Sequence, residues 1–135
     1  MSFSDYLEGK LLDHTFRNTA YTGPSTVYVG LFTGDPTDTG SLSSEISNHA
    51  NYSSGYSRQS VAFDRTGNTL TNSAQIDYGP IVTTGNIAVT YAAVIDGGTL
   101  GAGNILASEA LAESKTLSNG GYLRWDIGDL EVRLY

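Results

Sequence analysis

The chain has 135 residues and no cysteine, so it is long enough to bury its own core as one domain and has no disulfide framework, thiolate metal site or thiol nucleophile. Its formal charge of −7 rests on only 16% charged residues, and its seven Lys and Arg are scattered, which excludes the clustered cations that a nucleic-acid backbone requires. Sixteen Gly, nine Tyr and abundant Ser, Thr and Asn point to short strands and turns rather than to a helical enzyme.

Taken in order, Ser4 to about Phe16 is predicted to be a helix. Ser4 is a suitable N-cap, Asp5 and Glu8 lie in the first turns, and Lys10, His14 and Arg17 come late, as the helix dipole favours. Phe3, Leu7 and Leu11 recur every four residues, with Leu12 and Phe16 widening the stripe. Gly9 costs about 1 kcal/mol relative to Ala, so this helix needs packing to persist. It is expected to be either a lid over one end of a sheet or a docking element offered to a neighbouring subunit.

Gly23-Pro24 marks a connector, after which Thr26–Thr33 alternates Val27, Val29 and Leu31 against Tyr28, Gly30 and Phe32. Both rows are apolar, which predicts an inner strand, with Gly30 at a close backbone approach or a bulge. Gly34 to about Ser54 is a long polar loop tethered only by Leu42 and Ile46, of the kind that is functional or mobile. Its Asp35 and Asp38 lack the alternation and closing Glu of a calcium loop, and Asp-Pro as a turn starter accounts for them.

Tyr56–Phe63 is predicted to be a strand turning at Asp64–Asn68. Leu70, and then Ile76 with Tyr78, mark two short strands, and Gly79-Pro80 is expected to break the run. The stretch Ile87–Ile95, ended by Asp96-Gly97-Gly98, is the strand on which the chain is organised. Ile87, Val89, Tyr91, Ala93 and Ile95 form one row, and Ala88, Ala92 and Val94 the other, with only Thr90 polar. It is predicted to be central in its sheet and covered on both faces. Gly97–Gly103 has no Lys and no helix behind it, so it is read as a flexible hairpin and not a phosphate cradle.

Asn104–Ala107 with the following Leu111, and Lys115–Leu117, are predicted to be separate short strands, followed by the Asn119-Gly120-Gly121 turn. In the tail, Leu123, Trp125 and Ile127 form one apolar row and Leu130, Val132 and Leu134 the next, about a turn or bulge at Gly128-Asp129. The C-terminus should therefore be integral to the sheet. One helix followed by about eight short strands predicts a mainly β chain, a β-sandwich of Greek-key or jelly-roll type.

Little here suggests chemistry. His14 and His49 have no companions spaced for a triad or a metal cage, and Glu109 and Glu113 are expected to be solvating carboxylates. No enzyme activity, metal or cofactor is expected. Tyrosines such as Tyr52 and Tyr56 either fill the space between sheets or offer a contact surface to protein or sugar. No apolar stretch approaches the ~20 residues of a membrane span, and no basic start leads into an apolar run, so the chain is expected to act where it is made or to leave the cell by lysis.

Several stretches carry a resemblance. Ser2–Phe16, Val27–Gly40 and Gly55–Phe63 resemble, in that order, a family of short bacteriophage virion proteins commonly labelled "tail fibre protein". Ile95-Asp96-Gly97, Asn104-Ile105-Leu106, Lys115-Thr116-Leu117 and the terminal Gly128–Val132 extend the likeness over nearly the whole chain. That family often has a Trp-Gly step before the central strand, where this chain has Thr84-Gly85-Asn86.

The resemblance implies a non-enzymatic structural subunit of a virion, of tail fibre or baseplate type, that binds neighbouring virion proteins. It would be assembled in the host cytoplasm and released by lysis. Capsid cement or decoration, or a module binding host surface glycan, are the alternatives. Such subunits occur in symmetric multiples, here expected as a trimer. Phe3, Tyr6, Leu7, Leu11, Tyr52 and Tyr56 are the candidate partner-binding residues.

Overall fold

A computed structural model describes residues 1–134. The elements run β1 (Ser2–Phe3), α1 (Asp5–Phe16), β2 (Val27–Phe32), β3 (Tyr52–Ser54), β4 (Gln59–Val61), β5 (Phe63–Thr66), β6 (Thr69–Asn72), β7 (Ile76–Thr83), β8 (Ile87–Ile95), β9 (Ile105–Leu117), β10 (Gly121–Trp125) and β11 (Glu131–Arg133). The chain is mainly β with one α-helix at its start, as expected, but its strands divide among three antiparallel sheets. The main sheet has the order β1-β9-β8-β2-β4, and two smaller ones run β10-β7-β3 and β11-β6-β5.

β8 is the third of five strands in the main sheet, and its β-branched composition suits that position. Its predicted rows need correcting. Val89 pairs with Lys115 but Tyr91 pairs with Ala110, so β9 places residues 111–114 opposite Thr90 alone. Side chains alternate with period two only in regular pairing, and this bulge exchanges the faces. Ile87, Val89 and Ala92 therefore share the principal core, whereas Ala93 and Ile95 join Phe32 and Ile105 on the opposite face. Burial on both faces holds for Ala92–Ile95, while Ala88 is exposed.

The principal core lies between the main sheet and β10-β7-β3, where Val29, Leu31, Ile87 and Val89 meet Ile76, Tyr78, Ile81 and Leu123. Two hydroxyls tie the layers: Tyr78 Oη donates to the Val29 carbonyl at 2.6 Å, and the Leu31 amide donates to Tyr56 Oη at 3.0 Å. The Tyr56 and Tyr78 rings stack with centroids 6.1 Å apart, and Trp125 meets Tyr78 edge-on. Gly30 is the close approach the sequence predicts, since a Cβ there would lie 2.9 Å from Ile95 Cδ1. Gly55, at φ +88°, passes so near the Pro80 carbonyl that a Cβ would sit 2.2 Å from its oxygen.

Four further readings are corrected. Gly79-Pro80 does not end the strand, because the register shift between Gly121 and Leu123 leaves Pro80 without a partner in β10 and β3 pairs only with Val82 and Thr83, so its missing N–H removes no ladder bond. The predicted strand over 56–63 is two, because the chain passes at Ala62 from β4 in the main sheet to β5 in another. The short strands at 104–107 and 115–117 are one 13-residue strand, β9. Ile127 lies outside β10 and is exposed. The turn that contains it is held by Asn72, whose amide donates to Ala74 and Asp126 carbonyls and accepts from the Leu130 N–H.

Nor is the loop after β2 free. Arg58 is buried, and its Nε donates to both Glu45 carboxylate oxygens at 2.9 and 3.0 Å. Its Nη1 donates to the carbonyls of Gly97, Thr99 and Ala102 at 2.9, 2.9 and 2.7 Å. One guanidinium thus fastens the 34–54 loop and the 97–103 hairpin, read as flexible, to the body. Thr33 and Ser44 add a backbone bond, and Leu42 packs on the face made by Phe32, Ala93, Ile95 and Ile105. Burial pushes the Glu45 carboxyl above its ordinary value, and the hydrogen bond and charge of Arg58 oppose that rise.

Removing the cation alone should be costly. Arg58→Met is expected to destabilise the fold by about 3–5 kcal/mol in urea titrations, while Arg58→Met with Glu45→Met should cost less than the two single changes summed. The penalty of Arg58→Met should shrink as the pH falls toward the ordinary Glu value, because a protonated Glu45 needs no cation. Burial also raises the phenol pKa values of Tyr56 and Tyr78. Both stay protonated in the fold while the unfolded chain ionises near ~10, so stability is present in full below that pH and falls as the pH rises through it. Alkaline denaturation followed by tyrosinate absorbance should show this loss, and Phe at positions 56 and 78 should lessen it.

Candidate functional site

α1 begins as its sequence predicts. Ser4 is buried, its Oγ accepts from the Leu7 amide at 3.3 Å and donates to the Ile105 carbonyl at 2.5 Å, so the cap that starts the helix also fixes it to β9. The Ser4 amide donates to the Leu106 carbonyl and the Asp5 amide to that of Asp38, which sets the direction in which the helix leaves the sheet. Phe3, Tyr6 and Leu7 then pack, half-buried, toward Val94, Leu106 and Val132.

Beyond that turn the helix is unsupported. None of its residues is fully buried, and exposure climbs from 37% at Leu11 to 57% at Leu12 and 79% at Phe16. The geometry explains the rise. At about 100° per residue, Leu11 is displaced roughly 40° around the helix from Leu7, but Leu12 and Phe16 are roughly 140° and 180° away. The stripe is therefore two faces, one packed on the protein's own body and one turned outward. Gly9 has open space over its Cα, so a neighbour can approach the backbone there. Asp13 and Arg17 pair at 3.0 Å beside this face, and the Lys10 ammonium lies 5.7 Å from the Tyr6 ring.

The six candidate residues thus separate. Phe3, Tyr6 and Leu7 are committed to the chain's own packing, and Leu11 stands at the boundary. Tyr52 is half-buried and its Oη accepts from the Tyr56 amide at 3.1 Å. Tyr56 lies in the core, so it presents no face to a partner. Leu12 and Phe16, the most exposed apolar residues of the helix, are not among those six, although their angular distance from Leu7 is legible in the spacing alone.

Elsewhere the polar residues serve local structure. Asp35 Oδ1 accepts from the Thr37 amide at 2.8 Å, the short turn expected of Asp-Pro. His49 Nδ1 accepts from the Asn51 amide, and the Asp96 carboxylate accepts from the backbone and side chain of Asn104. Among the described residues no three His, Asp or Glu groups converge where a metal ion could sit, and no helix is long and apolar enough to cross a membrane.

Comparison with curated proteins finds no match. The family model described as "Podophage GP4 fiber I protein gp80" matches residues 2–133. That span includes the capped helix, the main sheet and both smaller sheets, the same order of segments that carries the tail-fibre resemblance. The chain belongs to this podophage fibre family, a phage tail fibre-type family of virion structural proteins.

Proposed function

We propose that this protein is a non-enzymatic fibre subunit that attaches to neighbouring virion proteins through the outward face of α1. The observation that carries the reading is the exposure of Leu12 and Phe16 on a helix whose first turn is fixed to the body by Ser4. Exposed large apolar groups grouped on one rigid element mark protein contact surfaces. Burying two such side chains contributes about 1.5–3 kcal/mol each, enough to decide whether a subunit is retained in a particle.

Membership of a fibre family favours this role over capsid decoration. A symmetric homo-oligomer, with a trimer as the working form, suits such a subunit. A host-glycan module built on Tyr52, Tyr56 and the 34–54 loop has little support, because Tyr56 is buried and Glu45 in that loop is held by Arg58.

Leu12→Ser with Phe16→Ser should leave the urea midpoint of the isolated chain nearly unchanged, within about 0.5 kcal/mol. The doubly substituted subunit should compete about a hundredfold less well for incorporation into particles. Incorporation equal to wild type at the same expression level would remove α1 as the attachment point.

A further inference from the structure

β9 and β10 are joined by only residues 118–120, yet they do not pair with each other. β9 pairs inward with β8 in the main sheet, and β10 pairs inward with β7 in the facing one. The turn is anchored to β7 through Gly120 N–H to the Ile81 carbonyl and Thr83 N–H to Asn119 Oδ1. From there the two strands diverge. They leave a cleft of about 870 Å³ that has Leu111, Leu123 and Trp125 among its lining, with the exposed Tyr122 ring at its side. A second hollow of about 300 Å³ continues past Trp125 and Leu111 to Met1.

Both walls are strand edges. β10 has no neighbour on its outer side among the described residues, and β9 has one only at Ala107 and Ser108, which pair with Phe3 and Ser2 of β1. The edge of β9 from Glu109 to Thr116 is therefore open; because residues 111–114 bulge opposite Thr90, it spans only the length of Ala88–Ala92 on β8, about 13 Å at ~3.3 Å per residue. The protein already uses this edge for strand addition, since β1 is a two-residue strand laid on its far end. Unpaired N–H and C=O groups above an apolar floor are what an extended segment needs in order to dock by main-chain hydrogen bonds.

The charges select the occupant. Glu113 and Asp129 line the cleft against Lys115, while Arg124 is engaged by Asp77 at 2.6 Å; in the continuation Glu109 is met by the Met1 ammonium at 3.4 Å and Glu131 by Arg133 at 3.0 Å, so the cleft itself keeps a small net negative charge. A second copy would bring the same carboxylates to this edge on a chain of formal charge −7. We propose that the cleft between β9 and β10 receives an extended segment of a different virion polypeptide, with apolar residues at alternate positions and a net positive charge. This surface is separate from the α1 face and does not rest on it.

Hydrogen exchange on the isolated chain and on purified particles tests the proposal. Those amides of 109–116 that do not bond β8 should exchange freely in the isolated chain and at least tenfold more slowly in particles, whatever happens at α1. Equal exchange in the two states would overturn it. Because the chain has no cysteine, Ala112→Cys gives a unique site for a short photoactivatable thiol reagent. In particles it should cross-link to a segment of another polypeptide carrying Lys or Arg. A cross-link only to a second copy of this chain, or to an acidic segment, would overturn the assignment of the occupant.

Discussion

A guanidinium taken out of water must find several acceptors at once, and the position of Arg58 depends on that requirement. Its five bonds reach a carboxylate 13 residues before it and carbonyls about 40 residues after it. The long loop and the β8–β9 hairpin are drawn to one point, and the outer face of the main sheet is covered near that point by Leu42. A well-packed apolar cluster would hold these segments as strongly. A buried ion with fixed geometry also restricts which loop conformations are compatible with the fold, and a covered sheet face is one fewer surface open to unintended partners.

What remains exposed is then informative. The first face of the main sheet is occupied by β10-β7-β3 and, toward Val94 and Leu106, by residues of β5, β6 and β11 together with Phe3, Tyr6 and Leu7. Leu12 and Phe16 on α1, with Tyr122 beside the cleft, lie outside that packing. The two surfaces proposed for attachment stand on elements fixed by Ser4 and by the 118–120 turn, as a subunit that binds without rearranging would need.

Much of this was legible in the sequence where the cause is local. The Ser4 cap, the alternation in β2, the Asn119-Gly120 turn and the central place of β8 all follow from residues within a few positions of one another. The failures share a different cause. The bulge that exchanges the faces of β8 is set by its partner, β9, and leaves no mark in the 87–95 pattern itself. Arg58 carries no local signal of burial, because Glu45, which pairs with its charge, and the Gly97, Thr99 and Ala102 carbonyls, which accept from its Nη1, lie elsewhere in the sequence. Tyr56 reads as a candidate contact residue because a tyrosine suits a surface or a core equally well, and its placement in the core comes from the distant Leu31 amide and Tyr78 ring. The outward residues of α1 are a different matter. Their angular position was available, but apolar residues at close spacing were merged into one stripe.

The central claim is that a polar loop of low apolar content is held as a fixed cover by one buried ion. Site-resolved amide exchange in the isolated protein tests it most directly, at Thr33 and Glu45, whose N–H groups bond the Ser44 and Leu42 carbonyls. Protection comparable to that of the β2 and β8 amides, lost together in Arg58→Met, is the predicted result. Exchange at the rate of an unstructured peptide in the unsubstituted protein would contradict the account.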